Sequence, residues 1–186
     1  MPRAPRDTEV DAYVFIKNTL RELAWDVRNP ERIAAGQVWT QNECLSNPAL
    51  KEQLGLERPE NIIKVTDAVL WVVEAKRSRR QIEQALSEAE GYAKAINRGR
   101  AHKAKFISGV AGNETDGYLI RSKFLVGNTY KPIRFNGVET TGLLSLSLSA
   151  ASSSNRGPLT WTTHRLTTNS SCLSPTTSTR FCTLAR

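Results

Sequence analysis

Apolar residues along this chain recur with two different periods, and the period changes several times in the first 140 positions. Val10, Tyr13, Val14, Leu20 and Leu23 fall near helical spacing, and Thr8-x-x-Asp11 resembles a capping box at the front of them. This predicts a helix ending near Ala24. After a polar connection holding Pro30 and Gly36, residues 37–40 (Gln-Val-Trp-Thr) read as a short strand, and residues 48–56 as a short helix or loop. Two runs rich in Ile and Val follow at 61–65 and 68–75, separated by Thr66-Asp67, and predict a pair of strands. Helical spacing returns with Ile82, Ala85, Leu86, Ala89, Ala93 and Ile96, behind a candidate cap at Ser78-x-x-Gln81. Residues 105–110 and 118–126 predict two more strands, with Gly109, Gly112 and Gly117 marking the turn between them. Helix, strands, helix, strands predicts an α/β fold: a mixed sheet with helices packed on its faces.

The pattern stops near Leu144. From Ser145 the chain is nearly half Ser and Thr, contains no Asp, Glu or Lys, and keeps neither period. The expected organisation is therefore one folded domain, residues 1–144, and an unstructured tail, residues 145–186. Such a tail is either a disordered basic Ser/Thr-rich segment or out-of-frame translation after a frameshift near residues 142–149. The composition favours the frameshift, and neither alternative assigns the tail a function.

Charge and cysteine usage narrow the class. The 186 residues carry 26 Lys and Arg against 18 Asp and Glu, a net +8, which favours an acidic partner such as nucleic acid. Cys44, Cys172 and Cys182 form no CxxC pair and no zinc-type cluster, so a reduced, cytoplasmic setting is expected. No signal-peptide h-region and no membrane-spanning run are evident. There is no GxxxxGK[ST] phosphate loop, hence no visible ATP site, and no Asx-Pro-Pro-aromatic motif of an adenine methylase.

The candidate chemistry lies at the end of the second Val-rich run, in Glu74-Ala75-Lys76. In a strand, Glu74 and Lys76 share a face while Ala75 points away and keeps its carbonyl available. A carboxylate and a carbonyl are hard oxygen donors suited to Mg²⁺. A neighbouring ammonium can offset charge developing on a phosphate. Phosphodiester hydrolysis at such a site normally needs a second carboxylate close by. Asp67 is on the wrong face and about 23 Å away along a straight strand, so it reads as a turn residue. Glu60 is the better candidate, under one condition. A two-residue turn at Thr66-Asp67 sets Glu60 opposite Val73, whereas a three-residue turn or a bulge sets it on the face of Glu74 and Lys76. The bland alternative is an exposed strand-edge ion pair of little energetic weight.

With these residues in view, Arg58-Pro59-Glu60, Glu74-Ala75-Lys76 and the helix carrying Glu88-Ala89-Glu90-Gly91-Tyr92 resemble the PD-(D/E)xK nucleases. Nearest in look is the N-terminal nuclease domain of type I restriction enzyme R subunits and of related restriction–methylation proteins. The resemblance covers roughly residues 8–140. It implies a restriction-endonuclease-like fold, with Glu60, Glu74 and Lys76 as catalytic residues and Mg²⁺ or Mn²⁺ held by Glu60, Glu74 and the Ala75 carbonyl. It further implies supporting places for Glu9, Glu88 and Tyr92. The implied substrate is double-stranded DNA, and the implied partners are methylase and specificity subunits or missing C-terminal domains. This chain departs from the pattern at Glu60, where the family usually has Asp, and at Glu88, where many members have Gln.

Arg77, Arg79 and Arg80 follow the Glu-Ala-Lys triplet, and they and the basic residues between 98 and 105 are candidate contacts to DNA phosphates. Arg98, Arg100, His102, Lys103 and Lys105 form a second basic group, and both groups read equally well as solvated faces. Trp25, Trp39 and Trp71 read as core, His102 as a surface residue, and Cys44 as lacking a catalytic partner. The rival readings are a DNA-binding or subunit-docking module on the same fold, a stand-alone repair or mobile-element nuclease, and a truncated gene product without a role.

Overall fold

The computed structural model describes residues 9–147 and 160–162. Three helices, α1 (Glu9–Glu22), α2 (Pro48–Leu54) and α3 (Ile82–Arg98), pack with a six-stranded sheet. Its strands are β1 (Val38–Thr40), β2 (Asn61–Lys64), β3 (Val69–Lys76), β4 (Lys103–Asn113), β5 (Gly117–Val126) and β6 (Thr129–Pro132), in spatial order β1-β2-β3-β4-β5-β6. Every neighbouring pair is antiparallel except β3 and β4, which are parallel and joined through α3. That one parallel step follows from chain length: two parallel strands need a long crossover, and the 17-residue α3 supplies it. The mixed α/β architecture expected from the periodicities is therefore present.

Strand parity separates two cores. Trp71, Val73 and Ala75 of β3 face α1 and pack with Ala12, Ile16 and Leu20. Leu70 and Val72 face the other way, against Ala89, Ala93 and Ile96 of α3. All three tryptophans expected in the core are buried: Trp25, Trp39 and Trp71. The Trp71 indole donates to Ser108 Oγ at 2.9 Å, and Ser108 shares a hydrogen bond with Ser122, so this polar chain is satisfied inside the sheet.

Four local expectations need correction. Ser78 does not cap α3 with its side chain. A short 3₁₀ turn, Arg79–Gln81, leads into the helix instead, with the Gln81 N–H bonded to the Ser78 carbonyl. Gly109 and Gly112 are not turn residues but lie within β4. A Cβ at Gly109 would come within 3.0 Å of the Leu86 backbone nitrogen, so glycine there lets α3 lie close on the sheet. The folded part also runs slightly past residue 144: Ser145 is buried, and the Leu144 carbonyl accepts from the Trp25 indole at 2.8 Å. Finally, two tail segments, Ser145–Ser147 and Thr160–Thr162, pair antiparallel as β9 and β10, beyond the small β7 (Arg134–Phe135) and β8 (Val138–Glu139) hairpin. The rest of residues 145–186, and the Thr8 cap, lie outside the described residues.

The ambiguous segment 48–56 resolves as α2. Pro48 starts it, and Asn47 caps it by accepting from the Leu50 N–H at 3.0 Å, while its amide also donates to Glu31. Asn47→Ala should cost about 1 kcal/mol, read as a lowered urea midpoint with an unchanged slope. An unchanged midpoint would mean that the cap contributes nothing.

Candidate functional site

The register of β2 on β3 decides whether the carboxylates meet. Asn61 pairs with Val73, Ile62 with Val72, Ile63 with Trp71 and Lys64 with Leu70. Past these, Val65 and Val69 are bonded across the turn (2.9 Å), leaving Thr66, Asp67 and Ala68 as a three-residue loop. This is the odd-length turn that the face argument requires, and extending the register sets Glu60 opposite Glu74. Asp67 lies exposed in that loop, 3.4 Å from Lys64, as its turn reading predicts.

Glu60, Glu74 and Lys76 are all buried. The Glu60 backbone N–H donates to Glu74 Oε2 at 3.2 Å, and Lys76 Nζ lies 3.4 Å from Glu74 Oε1. Lys76 makes its shorter contact, 2.7 Å, with Glu88 Oε2 on α3. Gln84 in turn donates to Glu88 Oε1 at 2.9 Å. The four charged side chains therefore form one constellation where the C-terminal end of β3 meets α3. The alternative of an exposed edge pair does not describe it.

Electrostatics follow from this packing. Burial pushes the Glu74 carboxyl up to about 7; the Glu60 N–H and Lys76 pull it back, while Glu60 and Glu88 add to the rise. Glu88 is less buried and stays below the ordinary carboxylate range, because its hydrogen bonds from Lys76 and Gln84 outweigh its desolvation. Tyr92, one turn after Glu88 on α3, is pushed up to about 12 by burial and by the charges of Glu74 and Glu88. The helix holding Glu9 is present, but its side chain lies outside the described residues.

Glu74 and Glu88 both contact the Lys76 ammonium, and Glu60 lies across from Glu74. Glu60 and Glu74 supply hard oxygens side by side, and the Ala75 carbonyl is the adjacent backbone donor. Among the described residues no group of three or more His, Cys, Asp or Glu side chains converges in metal-binding geometry. Two carboxylates and a carbonyl nevertheless suit Mg²⁺, which keeps several waters and takes further oxygens from a phosphate substrate. The donor chemistry fits that ion.

Arg77, Arg79 and Arg80 are exposed directly after Lys76, and Arg79 donates to the Asp116 carbonyl at 2.9 Å. The second basic group is elsewhere. Lys103 pairs with Val69, at the opposite end of β3 from Lys76, so it sits roughly 17 Å from the carboxylates at about 3.3 Å per residue. His102 is half-buried rather than on the open surface, with Nδ1 3.1 Å from the Asp67 carbonyl. Cys44 is buried and its thiol is pushed up by desolvation, which suits a core residue rather than a nucleophile.

One site residue has no signal in the local sequence: Gln41, whose side-chain amide donates to Glu60 Oε1 at 2.6 Å. It follows β1, and the pairing of Thr40 with Asn61 carries Gln41 to the level of Glu60. With Tyr13, Asn42 and Glu60 it lines an open cleft of about 360 Å³ beside the carboxylates. The signal that would have found it is register arithmetic on β1 and β2, which needs their pairing to be known first.

Among the described residues no helix is long and apolar enough to cross a membrane. Set against protein-family models, curated proteins and solved structures, the chain has no match in any of the three comparisons.

Proposed function

We propose that the chain is a Mg²⁺-dependent DNA endonuclease domain of the PD-(D/E)xK type, acting within a restriction–modification system. The observation that carries this reading is the three-residue β2–β3 turn, which brings Glu60 opposite Glu74 with Lys76 on the same face. Glu60, Glu74 and the Ala75 carbonyl would hold the ion. When bound, Mg²⁺ would supply Lewis-acid stabilisation of charge on the scissile phosphate. Gln41 orients the Glu60 carboxylate, and the Glu60 N–H orients that of Glu74. The Lys76 ammonium would orient an attacking water and offset charge on the phosphorus oxygens. Arg77 and Arg80 stand exposed after Lys76 to engage backbone phosphates of double-stranded DNA. Specificity and ATP-driven steps would belong to methylase and specificity subunits or to further domains.

The deciding experiment is nicking of supercoiled plasmid by the folded chain with Mg²⁺ or Mn²⁺. Metal-dependent nicking supports the reading. Absence of nicking with the partner subunits present sinks it.

A second reading, a binding or docking module on the same fold, is favoured by the 2.7 Å Lys76–Glu88 contact, which holds the ammonium away from a substrate. Glu88→Gln removes that ionic hold while keeping a hydrogen-bonding group. If the contact inhibits an otherwise competent site, Glu88→Gln should raise the nicking rate by roughly tenfold, the size of effect expected when about 1.4 kcal/mol of ground-state restraint is lifted. A rate that falls instead would make Glu88 part of the working site.

A further inference from the structure

We infer that the far end of the molecule carries a second phosphate-binding site, a cleft that takes the backbone of nucleic acid. The cleft has a volume of about 450 Å³ and is lined by Lys94, Arg98, Lys103 and Lys105, with Asn97 and Tyr130. Its floor is closed by hydrogen bonds. Asn97 accepts from the Ala104 N–H at 2.8 Å and donates to the Ala104 carbonyl and the Tyr130 hydroxyl, and the Tyr130 hydroxyl also bonds to the Ala104 carbonyl. With the polar atoms of Asn97 so occupied and Tyr130 buried, the cleft presents its cations rather than an aromatic stacking platform.

The charges divide by what they already contact. Lys94 is paired with Glu90 at 2.7 Å. Lys103 donates to the carbonyls of Asn97 (2.6 Å) and Gly99 (3.1 Å), so it offsets the partial negative charge at the end of α3 that would otherwise repel an anion. Among the described residues neither Arg98 nor Lys105 forms an ion pair, and both are exposed. Two uncommitted cations above a neutralised helix end, on a chain of net +8, suit successive phosphates of a strand. The separation of roughly 17 Å along β3 between the level of Lys103 and Glu74 places this contact outside the proposed reaction centre, so it does not depend on the nuclease reading.

The test is fluorescence anisotropy with a labelled duplex of about 20 base pairs in EDTA, where no metal-dependent cleavage occurs, across a salt series. The double variant Arg98→Ala/Lys105→Ala should weaken binding about tenfold near 0.1 M salt and lower the salt slope by about 2. A charge-matched control, Lys17→Ala/Arg21→Ala on α1, which packs on the opposite face of the sheet, should shift neither by more than about twofold, the effect expected of bulk charge alone. Equal losses in both variants, or no loss in the first, would overturn the cleft. Inorganic tripolyphosphate is the second probe. If it binds through Arg98 and Lys105 while the duplex does not, the nucleic-acid assignment falls to a small phosphate ligand.

Discussion

Lys76→Ala should abolish metal-dependent nicking, with a loss of at least about 100-fold, the usual scale for removing one group that stabilises transition-state charge. The variant keeps Glu60, Glu74 and the Ala75 carbonyl, so the proposed donors survive. It also has a second consequence, because Lys76 is one of the groups that hold the Glu74 carboxyl down. Without the ammonium, Glu74 moves further up and is more protonated at neutral pH. A pH series separates the two effects. If Lys76 acts on the reacting phosphate, raising the pH toward 9 restores little. Recovery at high pH would mean that Lys76 serves only to keep Glu74 ionised. Stability at neutral pH should fall modestly, since Glu74 can take up a proton rather than remain a buried unpaired charge. A folded Lys76→Ala protein with wild-type nicking would remove Lys76 from the mechanism.

Glu74→Gln should lose activity and gain stability. The Glu74 carboxyl is buried and titrates near 7 in the folded chain against 4.5 when exposed. A folded value above the unfolded one means that the native state binds the extra proton. Wild-type stability is therefore fully present below about pH 4.5, is lost as the pH rises toward 7, and is flat beyond. The gap between those values corresponds to on the order of 3 kcal/mol. A glutamine mimics the neutral acid and escapes this loss. The Glu60 N–H can still donate to its carbonyl, and Lys76 keeps Glu88. The urea midpoint of Glu74→Gln should exceed that of the wild type at pH 8 and converge with it near pH 4. Saturating Mg²⁺ should stabilise only the wild type, because an ion that binds the native state alone shifts the folding equilibrium. Identical midpoints across the pH range would show that Glu74 is not desolvated and would undermine the site as a buried one.

Much of the fold is legible from one-dimensional pattern. The stripe from Ile82 to Ile96 describes a helix because its period matches 3.6 residues, and it remains one in three dimensions. Strand parity is equally local: Glu74 and Lys76 must share a face that excludes Ala75 whatever the sheet around them. Even the choice between a useful and a useless Glu60 reduces to whether the turn holds two residues or three. Local signals fail where packing decides. Ser78 has the residue type of a cap, but a 3₁₀ turn satisfies the helix start instead. Gly109 looks like turn punctuation, yet it is required where α3 lies against β4.

What the sequence alone determines is the alternation of helix and strand, the shared face of Glu74 and Lys76, and the change of composition after Leu144. All three depend on neighbours a few residues apart, whose geometry is set by backbone periodicity. The tertiary structure alone decides that Gln41 reaches Glu60, that Glu88 takes the shorter hold on Lys76, and that Arg98 and Lys105 stand at the far end from Arg77. Those facts depend on sheet order and on the direction of the β3–α3–β4 crossover, which place residues together by long-range burial of apolar faces rather than by their spacing along the chain.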